Sequence, residues 1–213
     1  PTQYDVIYAG NYTKDTIITP DGTHNIDGRG MNYAAQAGKS LGINAAVVTR
    51  LAREDEYVVE KMRSAGVDCY PVYSPTSTLM TLEYKTHDVD KRNLYVKATA
   101  GTIHPSDLNG LETKAVVVSP SLRGEVEPAF FTELRKRPGI LLSADVQGFV
   151  RVLRNETLVY EPWPEMPEVL RNLDILKTDA VEAAYLTGED NIEKAATFFA
   201  DFGVREVLLS HSE

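Results

Sequence analysis

A glycine pair beside an asparagine is the first group of residues whose spacing suggests chemistry. Gly28 and Gly30 stand at the start of an amphipathic stripe, and Asn32 follows them. Two glycines allow the backbone to approach a ligand closely, and the first turn of a helix offers unpaired N–H groups. A tight turn is nevertheless the commoner reason for a Gly-x-Gly. The third glycine of the dinucleotide fingerprint is missing at the required spacing, which disfavours a Rossmann-type oxidoreductase.

A carboxylate follows the first predicted strand. Asp15 lies a few residues after the apolar run 5–9. In open α/β sheets, ligands collect at the carboxyl ends of the strands. A carboxylate at that position could accept hydrogen bonds from two hydroxyls of a polyol, although a solvated acid in a loop is the commoner explanation.

Two acidic pairs with i, i+3 spacing occur in the last third of the chain. Asp179 and Glu182 match a capping box that opens a helix over 180–186, and Asp190 and Glu193 repeat the same spacing. Because capping explains both pairs, spacing alone does not make Asp179 and Glu182 a metal site. Only this first pair directly follows a predicted strand, where a parallel sheet gathers its ligands.

Short apolar runs and amphipathic stripes alternate along the chain. The apolar runs are continuous, which indicates strands covered on both faces. These predicted strands contain residues 5–9, 45–49, 115–119, 140–144, 175–176 and 207–209. The helical stripes run through residues 31–41, 58–65, 130–134 and 192–199. Strands that alternate with helices predict an α/β fold of three layers, Rossmann-like, with a mostly parallel sheet.

Residues from about 68 to 98 break this alternation. Two β-rich segments, 77–84 and 93–97, flank a polar linker, and their period-2 pattern favours an antiparallel pair with one solvated face. The segment is interpreted as a surface excursion, a lid over a ligand cleft or a dimer contact. We expect a single α/β domain over 1–213 with this predicted lid as an insertion.

The composition excludes several classes of protein. The 213 residues include 22 Lys and Arg against 31 Asp and Glu, a formal net charge of −9, which argues against nucleic acid or an anionic membrane as the main partner. The sequence contains no membrane-spanning apolar stretch, no signal peptide and no phosphate-loop motif. Cys69 is the only cysteine and the four histidines are scattered, so we expect neither a disulfide nor a zinc site, and a cytoplasmic location.

Taken in order, these elements resemble the ribokinase-like sugar kinases, also called the phosphofructokinase B family. The matching features are a strand followed by Gly10-Asn11 and Asp15, the turn Gly28-Arg29-Gly30-Met31-Asn32 before an alanine-rich helix, the β-rich segment, and the stretch 177–188, which is similar to the family's Asn-x-x-Glu motif leading into Leu-Thr-Gly. The stretch 143–151 is similar to that of the inositol-kinase-like branch.

The resemblance implies ATP- and Mg²⁺-dependent transfer of a phosphoryl group to a hydroxyl of a sugar, inositol or nucleoside-like polyol. It assigns acceptor binding to Asp15, Gly28, Arg29, Gly30 and Asn32. It assigns nucleotide binding to Asp179, Glu182 and Ser210, with Glu182 holding Mg²⁺ through water. The donor could also be ADP or another phosphate compound, and dimers through the lid are common in the family.

The chain also departs from the family pattern. Asp27 stands where glycine or alanine is common, and Asp179 replaces an asparagine. No Gly-Ala-Gly-Asp segment, which carries the family's catalytic base and anion hole, follows Glu182. We therefore expect a chain that ends before that segment and is inactive alone. The alternative is a non-catalytic regulatory protein of the same fold that binds a polyol or a nucleotide.

Overall fold

The computed structural model describes residues 2–27, 29–89 and 91–211, without the side chains of residues 2, 29–32 and 35. The strands are β1 (Thr2–Ala9), β2 (Thr13–Thr19), β3 (Gly22–Asp27), β4 (Ala45–Ala52), β5 (Asp68–Ser74), β6 (Thr78–Glu83), β7 (Asn93–Ala98), β8 (Leu111–Val118), β9 (Leu141–Asp145), β10 (Arg151–Arg154), β11 (Thr157–Tyr160), β12 (Ile175–Asp179) and β13 (Glu206–Ser210). The α-helices are α1 (Arg29–Ser40), α2 (Tyr57–Ser64), α3 (Pro128–Leu134), α4 (Gln147–Val150), α5 (Met166–Leu170), α6 (Ala180–Thr187) and α7 (Ile192–Ala200), and Arg53–Asp55 and Pro105–Leu108 form 3-10 turns. None of the helices described is long and apolar enough to cross a membrane.

Seven parallel strands form the large sheet in the order β13-β12-β9-β8-β1-β4-β5. Because the strands are parallel, their carboxyl ends meet at one edge, and the connections that return the chain are mostly helical. Each predicted apolar run overlaps one of these strands, and only Ser119 and Ile140 lie just outside them. The fold class predicted from the sequence is therefore confirmed.

Helices cover the large sheet on both faces, as alternate residues of β4 show. Ala46 and Val48 belong to the main apolar core, together with Phe130 of α3. Val47 points the other way into a second core that contains Val58 of α2. A strand buried on both faces needs an apolar residue at every position, which explains its continuous pattern.

Six strands form a second, smaller sheet in the order β10-β11-β7-β6-β2-β3, which we call the small sheet. The antiparallel pairing of β6 with β7 agrees with the period-2 prediction. The predicted lid boundary at about residue 68 is misplaced, because residues 68–74 pair in parallel with β4 and belong to the large sheet. Ile17, Met80, Leu82 and Val96 form an apolar core of the small sheet.

Two details of the helix ends differ from the prediction. Leu41 was expected on the apolar stripe of the first helix, but α1 ends at Ser40 and the Leu41 side chain is 77% exposed. Asp190 was expected to cap a helix, but the cap of α7 is Asn191, whose side-chain oxygen accepts a hydrogen bond from the backbone N–H of Lys194. Either residue type is a good cap, so the sequence left the register ambiguous by one position.

Candidate functional site

The carboxyl ends of β1, β8 and β9 open into a cavity of about 410 Å³ beneath the small sheet, which we call the central cavity. Its lining residues are Asn11, Tyr12, Thr13, Asp15, Met62, Met80, Leu82, Arg92, Leu94, Ser119, Pro120, Ser121, Asp145, Gln147 and Arg151. A concave site at this edge of a parallel sheet is where ligands of α/β proteins bind.

Asp15 reaches the central cavity from β2, whereas the sequence placed it in a loop. Alternate residues of β2 are buried, and Thr13, Asp15 and Ile17 share that buried side. Asp15 is only 6% exposed and lies opposite Met80 of the neighbouring strand β6. The small sheet therefore holds this carboxylate against the cavity, and the interpretation as a solvated loop acid is wrong.

The roof of the central cavity is apolar. Met80 and Leu82 come from β6 and Leu94 from β7. Leu82 and Leu94 are directly opposite each other across the antiparallel pair. The central cavity thus has polar groups on its floor and apolar side chains on its roof. A cyclic polyol has both polar O–H groups and apolar C–H groups, so it matches both surfaces.

A second cavity of about 870 Å³, the edge cavity, lies between the small sheet and the ends of β12 and β13. It is lined by Val89, Arg92, Asn93, Leu94, Arg151, Thr157, Leu158, Tyr160, Asp179, Ala180, Val181, Ser210 and His211. Arg92, Leu94 and Arg151 line both cavities. The two cavities therefore share a boundary at which two guanidinium groups are available.

Arg151 is the more buried of these two cations. It is 9% exposed, and its Nε atom has no hydrogen-bond partner in the part of the chain that the structure describes. Arg92 donates a hydrogen bond from Nη1 to the hydroxyl of Tyr84 at 3.1 Å. A buried guanidinium with an unused donor is a strong binding group for a phosphate.

Asp179 and Glu182 form the predicted capping box at the start of α6. The backbone N–H of Glu182 donates to Asp179 Oδ1 at 2.8 Å, and that of Asp179 donates to Glu182 Oε2 at 3.1 Å. Burial raises the pKa of Glu182, and the nearby charges of Asp179 and Asp145 act in the same direction, although the backbone bond from Asp179 opposes them. Asp179 lines the edge cavity, whereas the Glu182 side chain is buried, with 1% of its surface exposed, and does not line that cavity.

This arrangement fits a cation held through water rather than one held directly. No cluster of three or more His, Cys, Asp or Glu side chains suited to a metal occurs within residues 2–27, 29–89 and 91–211. Asp179 nevertheless lines this end of the edge cavity, next to Glu182, and a hydrated divalent cation would offset the charge of that carboxylate, while Arg151 on the same lining is already positive.

The predicted site residues fall into three groups. Asp15 lines the central cavity, and Asp179 and Ser210 line the edge cavity. Arg29, Gly30 and Asn32 lie in the first turn of α1, but their side chains are outside the description, and Gly28 lies outside the described residues altogether.

The structure adds two buried polar side chains that the sequence analysis did not assign. Asn11 lines the central cavity and also a smaller cavity of about 270 Å³, which Glu125 lines too. Asn11 Oδ1 and Glu125 Oε1 are buried and accept no hydrogen bond from any described residue. Burial raises the pKa of Glu125 to about 8, although the backbone N–H groups of Ser121 and Asn11 partly oppose the shift.

Sequence signals for these additional residues were weak but present. Asn11 is the second residue after β1, at the strand end where ligands of parallel sheets collect. Arg151 ends the stretch 143–151 that is similar to the inositol-kinase-like branch. Nothing in the sequence distinguishes Glu125 from the other acids of its loop.

These features define a class of α/β proteins in which a small β sheet covers a ligand cavity at the edge of a parallel sheet. No protein-family model matches the chain, and no curated protein does. Solved structures do match. A pyrophosphate-dependent kinase in the ribokinase family, in complex with sulfate, is 32% identical with a TM-score of 0.89, over 97% of this chain and 73% of that one. The chain belongs to the ribokinase family, which confirms the resemblance read from its motifs.

Two further structures are similar to the chain. A pyrophosphate-dependent myo-inositol-1 kinase that was converted into a myo-inositol-3 kinase by replacing an asparagine and a serine with leucines is 30% identical, with a TM-score of 0.88 over 97% of this chain and 70% of that one. Ribokinase of Arabidopsis thaliana, complexed with ribose and ATP, is 16% identical with a TM-score of 0.70, over 98% of this chain and 72% of that one, and shares the fold.

Proposed function

We propose that this protein takes part in phosphoryl transfer to a hydroxyl of a polyol, with myo-inositol as the first acceptor to test. The observation that carries the proposal is the shared boundary of the two cavities, at which Arg92 and Arg151 face both. An acceptor in the central cavity and a phosphate donor in the edge cavity would meet at these guanidinium groups. A matched kinase that is 30% identical to this chain acts on myo-inositol, which supports this choice of acceptor.

Acceptor recognition is assigned to oxygen atoms that can accept hydrogen bonds from hydroxyls. The Asp15 carboxylate lines the central cavity, and the buried Oδ1 of Asn11 is a further acceptor there. Each hydroxyl of a polyol is a donor, so a set of buried acceptors discriminates against a ligand that lacks one.

The chemistry is mainly positioning and charge stabilisation. Arg151, buried and with an unused Nε donor, would bind the oxygens of the transferring phosphoryl group, and Arg92 would add a second cation from the small sheet. Covering the central cavity with the small sheet excludes water from the acceptor hydroxyl. The general base is not assigned to any residue of this chain.

Two donors remain to be distinguished, and pyrophosphate is the first because the kinases at 30–32% identity named above depend on it. ATP with Mg²⁺ is the second candidate, because a cavity of about 870 Å³ is large for pyrophosphate alone. Asp179 and Ser210 would then face the nucleotide, and Glu182 and Asp179 would hold Mg²⁺ through water. When bound, the ion would neutralise charge on the phosphate chain.

The test is ligand binding by thermal shift and calorimetry, followed by product formation with the intact gene product. Myo-inositol at 100 times its Kd stabilises the folded state by about 2.7 kcal/mol. We expect Asp15→Asn to weaken acceptor binding strongly and to leave donor binding unchanged, whereas Asp21→Asn at the exposed turn of the β2–β3 hairpin changes neither. Polyol binding without phosphorylation by either donor would instead support the regulatory alternative.

The apolar roof offers a finer test of acceptor orientation. In the matched kinase, two leucines changed the hydroxyl that is phosphorylated, and here Leu82 and Leu94 already face each other above the central cavity. We expect the double variant Leu82→Asn, Leu94→Ser to change the ratio of phosphorylated positions, which NMR of the product measures. An unchanged ratio would show that the roof does not orient the acceptor.

A further inference from the structure

Asp27 is the last residue of β3, directly before the glycine pair that the sequence assigned to the acceptor. Its Oδ1 accepts hydrogen bonds from the hydroxyls of Tyr12 at 2.8 Å and Tyr57 at 2.6 Å. Its Oδ2 lies 3.6 Å from the ammonium group of Lys61. Partial burial opposes ionisation, but these two hydroxyls and the ammonium outweigh it, and the pKa of Asp27 is lowered.

The three partners of Asp27 lie on α2 and in the segment that joins β1 to β2. Tyr57 and Lys61 lie on α2, which packs against the large sheet beside β5. Tyr12 lies between β1 and β2, is 3% exposed and lines the central cavity. The Asp27 carboxylate therefore ties the end of the β2–β3 hairpin to α2 and fixes a wall residue of the cavity at the same time.

A second tether lies beside the first. Lys14 is opposite Asp27 in the β2–β3 register, and its ammonium group lies 2.8 Å from Oδ1 of the buried Asp55, just before α2. Asp15, the acceptor-binding candidate, is the next residue along β2. The base of the hairpin is thus joined to α2 and the turn before it at two positions that are paired across the hairpin.

We propose that Asp27 is a positioning residue for the acceptor: its tether to α2 holds Asp15, Tyr12 and the start of α1 in the arrangement that binds the polyol. The inference rests on the proposed function. Asp27 does not line the central cavity, so it acts through the residues that do. Neither Asp27 nor any of its three partners lines the edge cavity, so we expect this tether to affect acceptor binding and to leave donor binding unchanged.

The experiment compares Asp27→Ala with Asp27→Asn in the intact gene product, with acceptor and donor KM measured separately. Both tyrosine hydroxyls donate to Oδ1, so asparagine keeps an acceptor oxygen for them and loses only the ion pair with half-exposed Lys61. We expect Asp27→Ala to raise the acceptor KM about tenfold and Asp27→Asn about twofold, since small misplacements of binding groups have large effects. The donor KM stays unchanged in both variants.

Glu60→Ala is the matched control on α2, because Glu60 is exposed and pairs only with Arg63 among the described ion pairs. An acceptor KM within twofold of wild type in folded Asp27→Ala, or an equal rise of both KM values, would overturn the inference. If Asp27→Ala does not fold, Tyr57→Phe removes one of the two hydroxyl bonds at an exposed ring and is expected to raise the acceptor KM alone. Absence of acceptor binding by the wild-type protein would refute the proposed function instead.

Discussion

Replacing Glu125 with glutamine tests the electrostatics of the buried acceptor region. Glu125 is 3% exposed, has a carboxylate oxygen without a described partner, and has its pKa raised from 4.5 to about 8 by burial. Glutamine keeps the oxygen that accepts from the Ser121 N–H at 2.6 Å, and removes the ionisable proton. The variant therefore isolates the cost of charging this side chain in the folded state.

The sign and size of the effect follow from the two pKa values. Between pH 4.5 and 8 the folded state keeps a proton that the unfolded state has lost, so the free energy of unfolding falls as pH rises. The slope is about 1.4 kcal/mol per pH unit, and the whole loss is at most about 5 kcal/mol, reached above pH 8. Glu125→Gln lacks this contribution, so its stability relative to wild type increases with pH.

Urea denaturation at several pH values between 5 and 9 measures this difference. Other titrating groups, including Glu182, are present in both proteins, and the comparison cancels their contributions. We expect the two proteins to diverge progressively toward pH 9, with glutamine the more stable. Parallel stability curves would refute the reasoning, because they would show that Glu125 ionises in the folded state at its ordinary pKa.

Four further substitutions test the capping box, a close contact with a proline and the ion pairs of a buried carboxylate. Asp179→Ala is expected to lower stability by about 1 kcal/mol in denaturation, as a lost helix cap does, whereas Glu182→Gln keeps a side-chain oxygen for the cap and is expected to reduce only Mg²⁺-dependent turnover. Gly148→Ala places a methyl group 2.1 Å from Cγ of Pro120, and we expect a loss of about 1–3 kcal/mol by thermal denaturation. Asp174→Ala removes the partner of the Leu142 N–H and of two arginines that remain partly exposed to solvent, and is expected to cost about 1–3 kcal/mol, again by denaturation.

The large sheet could be predicted because most of its strands have a recognisable pattern in their own short stretches of sequence. A strand such as β4, buried on both faces, requires an unbroken apolar run that a short window detects. The end of such a strand also locates the ligand edge, which is why Asp15 and Asp179 were singled out. The capping box at Asp179 was predictable for the same reason, since both of its bonds lie within four residues.

Of the small sheet, the pairing of β6 with β7 could be predicted, but the pairings of β2 with β6 and of β7 with β11 could not, because they join strands that are far apart in the sequence. β2 pairs in parallel with β6, some sixty residues later, and β3 is a polar, exposed edge strand without apolar alternation. The convergence of Arg92 and Arg151 depends on the pairing of β7 with β11, which no local pattern reveals. Glu125 is exceptional only through its burial, a property of the packed structure.

The pairing order of the small sheet has a consequence for folding. Its strands come from three separate stretches of the chain, around residues 13–27, 78–98 and 151–160, with parts of the large sheet between them. No one stretch can complete this sheet by itself, so long loops of the chain must close before it assembles, and such long-range pairing is slow. Because the strands of the two sheets alternate along the chain, we expect a probe in each sheet to report the same melting temperature, in a single cooperative unfolding transition.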